Sequence, residues 1–474
     1  MAQNVNEDHI RKIVEEVVQR VVTSSAQAGS SSAGGEGGVF QTIDAAVQAA
    51  TRAQQQLVEM SLEQRKQIVE AFRCTSRENA EEFSRRALAE TGMGRYDDKI
   101  LKHQVAADAT PGIEDLEATS WTGDNGLTVV EMAPYGVIGA ITPSTHPVPT
   151  MINNAICIVS AGNSVVFNVH PAGKKVSMLA VRLINEAVVK VGGPANLVTA
   201  VEEPTLESAN DMFNHPGIRL LLVTGGPGVA QAALASPKKA IVAGPGNPPV
   251  VVDETADLAK AARDIIDGGA FDNNILCLGE KQVFAIDSIA DELKRLMVQY
   301  SAYELNAQQI EALAQVSFVD GPDGHPMANR ELVGRNASVL GERIGLNLDD
   351  SLRMLIGETD ANHVFVREEQ MMPFLPIVRV PNIDQAIREA VISENGYGHT
   401  AIIHSRNIEN MHRMAVAANT TIFVKNGPSY AGVGLGGEGF GTYSIAGPTG
   451  EGLTSPRTFT RQRRCALVDY FRIT

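Results

Sequence analysis

The chain has 474 residues, of which 44% are hydrophobic and 5% aromatic, and its formal net charge at pH 7 is −15. The length predicts two or three domains, and the acidic balance argues against nucleic acid or an anionic membrane as a partner, because no excess of lysine and arginine is available to release counterions. We expect a cytoplasmic protein, since no apolar stretch approaches the roughly 20 residues of a membrane span and the N-terminus lacks a secretory signal.

Residues 1–22 have the pattern of a short amphipathic helix. Apolar side chains recur three and four positions apart on one face: Ile10, Ile13, Val14, Val17, Val18, Val21 and Val22. Residues 23–38 are rich in Ser, Gly and Ala, a composition typical of a flexible linker. An apolar stripe on a tether predicts a docking segment. The alternative is an N-terminal helix packed on its own domain.

From Val39 onward, helical and strand patterns alternate. Residues 43–89 predict two or three amphipathic helices, and residues 176–189 and 230–235 predict further ones. Strands are predicted at residues 129–141, 165–167, 220–224 and 283–286, and a second βα-rich stretch begins near Pro248 and runs to about residue 441. This alternation predicts an α/β fold with a doubly wound parallel sheet and two lobes, in which ligands bind at the carboxyl ends of the strands.

A glycine-rich loop, Thr224-Gly225-Gly226-Pro227-Gly228, joins a predicted strand to a predicted helix. Backbone N–H groups at a helix N-terminus favour anions, so this loop is a candidate for binding phosphate or a dinucleotide. The loop lacks the full GxGxxG pattern, and an ordinary tight turn remains open as the alternative.

Cys277 is the candidate nucleophile. It follows two glycines and the polar run Asp272-Asn273-Asn274, and it precedes a predicted strand. A thiol at such a turn can meet backbone N–H groups and lose its proton more easily, although a buried structural cysteine is the alternative. The four cysteines are far apart in sequence and show no Cys/His ligand spacing, so we expect neither disulfides nor a metal site.

Motifs along nearly the whole chain resemble the aldehyde dehydrogenase superfamily, and within it the CoA-acylating branch of bacterial microcompartments. They are Glu90-Thr91-Gly92-Met93-Gly94, Thr142-Pro143-Ser144-Thr145, Ile152-Asn153-Asn154, Ala161-Gly162-Asn163-Ser164, Gly246-Asn247-Pro248-Pro249, Phe271-Asp272-Asn273-Asn274 before Cys277, Gly398-His399-Thr400, Gly434-Leu435-Gly436-Gly437-Glu438-Gly439 and Pro448-Thr449-Gly450-Glu451-Gly452. The resemblance implies two doubly wound lobes, one Rossmann-like for the cofactor and one catalytic, with a small bridging sheet.

The same resemblance implies a division of the chain. Residues 1–22 resemble an encapsulation peptide that binds a compartment shell or cargo protein, and residues 23–38 are its linker. Residues 39–246 form the NAD- and CoA-binding domain with bridging strands at 120–135, residues 247–441 form the catalytic domain, and residues 442–474 are a return segment for oligomerisation. A homodimer or a dimer of dimers is expected.

In the resembled family, the cysteine adds to an aldehyde, hydride leaves to the nicotinamide, and a thioester remains. Hydrolytic members carry a glutamate in a Glu-Leu-Gly-Gly motif that activates water. The corresponding residues 240–247 here contain no carboxylate, which favours a thiol such as CoA as the acyl acceptor. Propionaldehyde is the favoured substrate and acetaldehyde the next. Alternatives are a hydrolytic or phosphorylating dehydrogenase and a non-catalytic cargo protein.

Two histidines join Cys277 as catalytic candidates by resemblance. His399 lies in the Gly-His-Thr setting of CoA-acylating members, where an imidazole can take the CoA thiol proton or hydrogen-bond the thioester oxygen. A histidine that only shapes a loop is the alternative. His146 stands where the superfamily generally has an asparagine that donates to the oxyanion. An imidazole N–H can also donate, so its role is open.

The cofactor residues are likewise implied by resemblance. Glu369 matches the glutamate that holds the nicotinamide ribose, with a surface carboxylate paired to Arg367 as the alternative. The other candidates are Thr142, Pro143 and Ser144, Thr224, Gly225 and Gly226 on the pyrophosphate and adenosine side, and Asn168 and His170 at the strand end where relatives offer lysine to the adenosine ribose. NAD is favoured over NADP by resemblance alone.

Overall fold

Two parallel β-sheets form the framework of the structure, a computed structural model that describes residues 35–321 and 324–472. The predicted helix of residues 1–22 and the first part of the predicted linker, residues 23–34, lie outside the described residues.

The strands occur in three larger sheets and two short hairpins. In chain order they are β1 (Val39–Phe40), β2 (Thr119–Gly123), β3 (Gly126–Pro134), β4 (Val137–Thr142), β5 (Ser164–Val169), β6 (Val198–Val201), β7 (Ile218–Thr224), β8 (Lys239–Ala243), β9 (Pro249–Val252), β10 (Gln282–Ile286), β11 (Ala302–Glu304), β12 (Phe318–Asp320), β13 (Pro326–Ala328), β14 (Met354–Thr359), β15 (Phe374–Val380), β16 (Thr400–His404), β17 (Ile422–Lys425), β18 (Ile445–Ala446), β19 (Gly452–Leu453) and β20 (Thr460–Val468).

The helices lie between and around the sheets. In chain order they are α1 (Ile43–Glu59), α2 (Leu62–Glu78), α3 (Ala80–Thr91), α4 (Tyr96–Asp108), α5 (Pro147–Ser160), α6 (Lys174–Lys190), α7 (Leu206–Asn214), α8 (Pro227–Leu234), α9 (Leu258–Ala270), α10 (Asp287–Gln299), α11 (Ala307–Ser317), α12 (Ala337–Arg343), α13 (Val364–Arg367), α14 (Ile383–Ser393) and α15 (Ile408–Ala418). Every residue of α5 is buried, so this helix is part of the core.

The first sheet has the strand order β1-β6-β5-β4-β7-β8, and all its neighbouring strands are parallel. From β4 the chain moves to β5 and β6 on one side, and it then returns to β7 and β8 on the other. The strand order therefore reverses between β4 and β7, where a doubly wound sheet opens a crevice at its carboxyl edge. Thr142 ends β4 and Thr224 ends β7, so both lie at this crevice.

The second sheet has the order β11-β14-β15-β10-β9-β16-β17 and is also parallel. Its central strands β9 and β10 are fully buried and, apart from Gln282, apolar, as expected for a parallel sheet covered on both faces. Residues 244–248 connect β8 of the first sheet to β9 of the second. The loops that precede β15, β10, β9 and β16 therefore meet at one amino edge of this sheet, because the four strands are adjacent and parallel.

A third, antiparallel sheet combines β2, β3 and β20. It corrects one prediction, since residues 129–141 are not a single strand. β3 belongs to this small sheet and β4 to the first parallel sheet, and the chain changes direction at Gly136, whose φ of 122° favours glycine. The predicted helices at residues 43–89 are confirmed as α1, α2 and α3, whereas α8 begins at Pro227 rather than at residue 230.

The predicted fold class is confirmed: two doubly wound α/β lobes are accompanied by a small β-sheet. The predicted strands at residues 165–167, 220–224 and 283–286 lie within β5, β7 and β10, and the predicted helix at residues 176–189 lies within α6. In the described part of the chain, no helix combines the length and the apolar character needed to cross a membrane.

Candidate active site

The loop that carries Cys277 is built from three consecutive residues in the left-handed region. Asp272, Asn273 and Asn274 have φ values of 48°, 57° and 66°. Asp and Asn tolerate this region better than other non-glycine residues because their short side chains hydrogen-bond locally. The Asn274 amide donates to the carbonyl oxygens of Gly269 at 2.7 Å and Glu280 at 2.8 Å. The predicted tight turn is thereby confirmed, and it places Cys277 in front of β10.

Cys277 faces a small cavity of about 30 Å³. The wall also includes His146 and Lys102, and most of the remaining side chains are apolar or aromatic, among them Phe271, Leu276, Tyr430, Val433, Leu435 and Ile445. Such a wall offers apolar contacts to a short aliphatic chain. The structure therefore brings the predicted nucleophile and the predicted oxyanion residue to one apolar site.

The resting thiol is protonated at neutral pH. Burial, followed by the Glu369 carboxylate, raises the pKa of Cys277 to about 12, against Lys281 and the N–H groups of Cys277 and Leu278, which lower it. The predicted N–H contacts are present and favour deprotonation as expected, but burial outweighs them in the resting site. Formation of the thiolate needs a change in the surrounding charges or a base.

Lys281 is a fully buried residue directly below the Cys277 loop. Its ammonium donates to the Asn274 carbonyl oxygen at 2.7 Å, to Asn274 Oδ1 at 2.6 Å and to the Leu276 carbonyl oxygen at 3.1 Å. Burial lowers the pKa of Lys281 to about 8, and Glu369, Cys277 and Glu280 raise it. The side chain is therefore charged at neutral pH.

Glu369 precedes β15 and lies close to the Cys277 loop. Burial raises the pKa of Glu369 to about 7, against Lys281 and the Gly246 N–H, which lower it. The alternative of a surface pair with Arg367 is wrong, because Arg367 instead contacts Glu389 at 3.4 Å. The carboxylate is thus coupled to the nucleophile electrostatically.

His399 immediately precedes β16 and is 1% exposed. Its Nδ1 lies 2.8 Å from the Thr400 hydroxyl, its backbone N–H donates to Glu394 at 2.8 Å, and its Nε2 has no partner among the described residues. Burial, followed by Lys281, lowers the pKa of His399 to about 4, so the ring is neutral at neutral pH. One ring nitrogen is engaged within the loop, as the alternative proposed, and the other has no partner among the described residues.

Gly246 is the point at which the two sides of the site converge. A Cβ atom there would lie 2.4 Å from the Cys277 carbonyl oxygen and 3.0 Å from Cγ of His399. The glycine is needed because the backbone before β9 passes between these two residues. Residues 240–247 therefore contribute a close backbone contact and, as the sequence shows, no carboxylate that could activate water.

His146 caps the N-terminus of α5 and is 6% exposed. Burial, followed by Lys102, lowers the pKa of His146 well below its ordinary value, and its Nδ1 has no partner among the described residues. The ring lies 5.5 Å from the Tyr443 ring, centroid to centroid. A neutral imidazole with one N–H can donate a hydrogen bond into the cavity, which fits the oxyanion role proposed for this position.

A second group of buried charges lies on the other side of the Cys277 loop. Lys99 contacts Asp272 Oδ2 at 3.1 Å, Lys102 contacts the same atom, and Lys102 also donates to the Thr145 carbonyl oxygen at 3.2 Å. Burial alone would raise the pKa of Asp272, but Lys102 and Lys99 outweigh it and hold it below its usual range. Two helical lysines are thus tied to the start of the loop.

The cofactor candidates on the first sheet lie at or just beyond its carboxyl edge, as predicted. Thr142 ends β4, Pro143 and Ser144 follow it, and the Thr142 hydroxyl has no partner in the described part of the chain. Gly226 caps α8, and a Cβ there would meet open space, as it would at Gly228.

Other cofactor candidates are engaged within the protein. Thr224 Oγ1 lies 2.7 Å from the Ser444 hydroxyl, and the Gly225 N–H donates to the Ala243 carbonyl oxygen at 3.4 Å. Asn168 donates to the Thr205 carbonyl oxygen at 3.3 Å and accepts from Ser208 at 3.0 Å. His170 is exposed and accepts from the Ala172 N–H at 3.1 Å.

In the second sheet, the functional side chains lie at the amino edge rather than the predicted carboxyl edge. Cys277 precedes β10, Glu369 precedes β15 and His399 precedes β16. The reason is the direction of the two sheets, since residues 244–248 run directly from the carboxyl end of β8 to the amino end of β9. The crevice is consequently formed by opposite edges of the two sheets.

Sequence reasoning did not identify Lys281, Lys102 or Gly246 as site residues. A signal for Lys281 was present, because Glu280-Lys281 stands immediately before a predicted buried strand, and charged side chains are rarely buried unless they are paired. Nothing in the spacing linked Lys102 to Asp272, 170 residues later. Among the described residues, no group of three or more His, Cys, Asp or Glu side chains is placed to hold a metal ion.

Comparison with known proteins places these residues in a family context. The model of the aldehyde dehydrogenase family matches residues 22–314. The acetylating acetaldehyde dehydrogenase of Salmonella typhimurium is 51% identical over 471 residues, which cover 99% of this chain and all of that protein. The crystal structure of Rhodopseudomonas palustris propionaldehyde dehydrogenase with bound CoA and an acylated cysteine has a TM-score of 0.89 and 47% identity, and covers 92% of this chain and 99% of that one.

A third relative comes from a microcompartment. The propionaldehyde dehydrogenase of the Clostridium phytofermentans fucose utilisation bacterial microcompartment has a TM-score of 0.90 and 49% identity. The match covers 92% of this chain and the whole of that structure.

Proposed function

The chain belongs to the aldehyde dehydrogenase family, and on that premise we propose that it is a CoA-acylating enzyme that oxidises a short aliphatic aldehyde with NAD and CoA to acyl-CoA. The observation that carries the proposal is the pairing of Cys277, on a small apolar cavity, with a segment 240–247 that holds no carboxylate. An acyl group on this cysteine has no general base there to direct water at it. A thiol is a stronger nucleophile than water and is more easily deprotonated, so it needs less help from a base.

Cys277 is the proposed nucleophile. As its sulfur bonds to the aldehyde carbon, the thiol proton is transferred to the aldehyde oxygen. The N–H groups of Cys277 and Leu278, which hydrogen-bond the sulfur, and the His146 imidazole supply donors near that oxygen. Loss of hydride from the carbon and of the proton from the oxygen leaves a thioester on Cys277. The neutral His399 then accepts the proton of the incoming CoA thiol, which attacks the thioester and frees the cysteine.

The residues fit a nicotinamide cofactor at the crevice between the sheets. The unpartnered Thr142 hydroxyl and the open N-terminus of α8 at Gly226 suit polar and anionic parts of a dinucleotide, and the Glu369 carboxylate suits ribose hydroxyls. Bound NAD would supply the hydride acceptor. Pro143, Ser144, Asn168, His170, Thr224 and Gly225 remain proposed contributors to this site.

The character of the cavity wall favours an uncharged aliphatic aldehyde. The side chains beside Cys277 are mostly apolar, which supports propionaldehyde or acetaldehyde over charged aldehydes. Two similar proteins divide between these substrates by name, one an acetaldehyde and one a propionaldehyde dehydrogenase. We favour propionaldehyde, with acetaldehyde next.

A microcompartment setting is part of the proposal. It is supported by the similar enzyme from a fucose utilisation microcompartment and by the apolar repeat of residues 1–22, the proposed contact to a shell or cargo protein. A fluorescent protein fused to residues 1–22 should enter such a compartment, and replacing Ile13 and Val17 by Asp should block entry. Diffuse fluorescence from the unmodified fusion would contradict the targeting role.

Domain division and assembly are proposed on the same basis. Residues 39–246 would bind NAD and CoA, residues 247–441 would carry the catalytic loop, and residues 442–474 would return to the bridging sheet. The antiparallel sheet of β2, β3 and β20 exposes Trp121 and Val468, which are 54% and 69% accessible. These exposed apolar side chains support a dimer or a dimer of dimers. Light scattering at micromolar concentration should show an oligomer, and a monomer would contradict it.

The function is tested by NADH formation from propionaldehyde and acetaldehyde with and without CoA. We expect sustained turnover only when CoA is present, and a burst of at most one NADH per subunit without it. Steady formation of free acid without CoA would show that another group activates water, and would overturn the CoA-acylating proposal.

A further inference from the structure

Lys281 is a buried ammonium that contacts only neutral oxygens. Its three hydrogen-bond acceptors are the carbonyl and side-chain oxygens of Asn274 and the carbonyl oxygen of Leu276. An ammonium group has three N–H donors, so all of them are used without a contacting carboxylate. The positive charge is therefore not cancelled by direct contact, and it acts on the ionisable groups that lie slightly further away.

Four ionisable groups surround this charge. Cys277 and Glu280 lie on the same segment as Lys281. Glu369 lies on the segment before β15, and His399 immediately precedes β16. Glu280 is engaged elsewhere, since its two oxygens accept from the Ser429 N–H at 2.8 Å and from the Ser429 hydroxyl at 2.7 Å. His399 is neutral at neutral pH. The groups free to respond to the ammonium are therefore Cys277 and Glu369.

The two responses oppose each other. The Lys281 ammonium donates to the carbonyl oxygen of Leu276, the residue before Cys277, so its positive charge favours a thiolate there. Glu369 accepts from the Gly246 N–H, and Gly246 packs against the Cys277 carbonyl oxygen, so the negative charge of Glu369 lies on the other side of the cysteine and disfavours the thiolate. In a buried site such interactions are weakly screened, so each charge has a large effect on the fraction of thiolate.

We infer that Lys281 is a positioning residue whose charge favours ionisation of Cys277, that Glu369 opposes it, and that the balance of these two charges sets the reactivity of the nucleophile. The inference rests on the proposed role of Cys277 and adds a residue to it. It also gives Glu369 a second role beside cofactor binding, because any ligand that neutralises this carboxylate raises the reactivity of the thiol.

The test is the rate at which iodoacetamide alkylates Cys277 in the full-length protein at a fixed pH of about 7.5, with the modified peptide identified by mass spectrometry. This pH lies between the pKa of Glu369 and that of Lys281, so both side chains are mostly charged. Below its pKa, a thiol loses about tenfold in thiolate for each unit by which its pKa rises. Lys281→Gln retains an N–H donor for the loop carbonyls and removes the charge. We expect it to slow alkylation about tenfold, and Lys281→Met, which lacks the donor as well, to slow it to a similar extent.

Charge and loop support are separated by Glu369→Gln, which leaves the hydrogen bonds of Lys281 in place. This substitution should speed alkylation about tenfold, and the Lys281→Gln/Glu369→Gln double variant should return near the wild-type rate. Lys294→Met, on α10 and paired with Glu304 and Glu358, is the matched control and should leave the rate unchanged.

Three results would overturn the inference: an unchanged rate in Lys281→Gln, a double variant as slow as Lys281→Gln alone, or failure of both Lys281 variants to fold, which would mark the lysine as purely structural. The alkylation assay uses neither aldehyde nor CoA. Failure of the inference is therefore distinct from failure of the proposed function, which NADH formation by the wild-type protein decides.

Discussion

Two buried lysine sites flank the Cys277 loop, and they differ in whether a carboxylate contacts the ammonium groups. At the first, Lys99 and Lys102 both contact the carboxylate of Asp272 at the start of the loop. At the second, the Lys281 ammonium contacts only carbonyl and amide oxygens near the end of the loop. At the first site the two ammonium groups share one contacting carboxylate, which partly offsets their charge. At the second site no carboxylate contacts the ammonium, and its positive charge lies beside the nucleophile.

The two sites therefore have different roles: the Asp272 cluster supports the loop, and Lys281 affects the nucleophile. A buried ion pair costs much of its attraction in lost hydration, and its main consequence is that neither partner can be removed cheaply. An ammonium held by neutral oxygens costs hydration as well, but its field remains available to nearby groups. The loop is thus anchored at one end by an ion-paired cluster, and at the other end it lies beside an ammonium that has no contacting carboxylate.

Cys277→Ala should give the largest effect, since it removes the group that lies between the two sites. We expect formation of acyl-CoA to fall by at least about 10⁴-fold, with the melting temperature and cofactor binding close to wild type because neither lysine loses a contact. Cys157→Ala, at a buried cysteine on α5 outside the cavity, tests whether any cysteine loss has this effect. More than trace activity in purified Cys277→Ala would remove the nucleophile assignment.

Asp272→Asn should break the ion-paired cluster of Lys99, Lys102 and Asp272. Two buried ammonium groups would lose their common carboxylate, and we expect the free energy of unfolding to fall by about 3–5 kcal/mol, measured by chemical denaturation. Asp291→Asn, which removes an exposed partner of Arg379, is the control and should cause little change. Wild-type stability in Asp272→Asn would mean that the lysines are not anchored by this carboxylate.

His146→Ala should have a smaller effect, confined to chemistry. The imidazole on the Lys102 side of the cavity would be lost as an oxyanion donor, and kcat should fall by about 10²–10³-fold. His146→Asn restores a neutral N–H donor and should recover most of the rate. Because the pKa of His146 is already well below its ordinary value, wild-type kcat should show no titration of this ring near neutral pH. Equal rates in His146→Ala and wild type would exclude the oxyanion role.

The sequence predicted the alternating α/β order and the two lobes because strand and helix periodicity are local properties. It also predicted Cys277, His399 and Glu369 as candidates, since each lies in a recognisable motif. It placed residues 129–141 in one strand because their apolar pattern is continuous, and only the two different sheets that β3 and β4 join require the break at Gly136.

The charge environment could not be predicted in the same way. The pKa of Cys277 depends on burial and on groups such as Glu369, which is 92 positions away in the chain, and the Lys102–Asp272 contact spans 170 positions. These contacts form only when segments that are far apart in the chain pack together in the complete fold. A local motif shows which residue type is present, but it does not show which charges surround it.

The acyl-enzyme itself provides the most direct test of the central claim. The wild-type protein is incubated with NAD and propionaldehyde in the absence of CoA, and its intact mass is measured before and after CoA is added. We predict a single propionyl adduct, mapped to Cys277 and absent from Cys277→Ala, that persists until CoA removes it and propionyl-CoA appears. An adduct on another residue, or its loss to water as free acid before CoA is added, would contradict a CoA-acylating mechanism through Cys277.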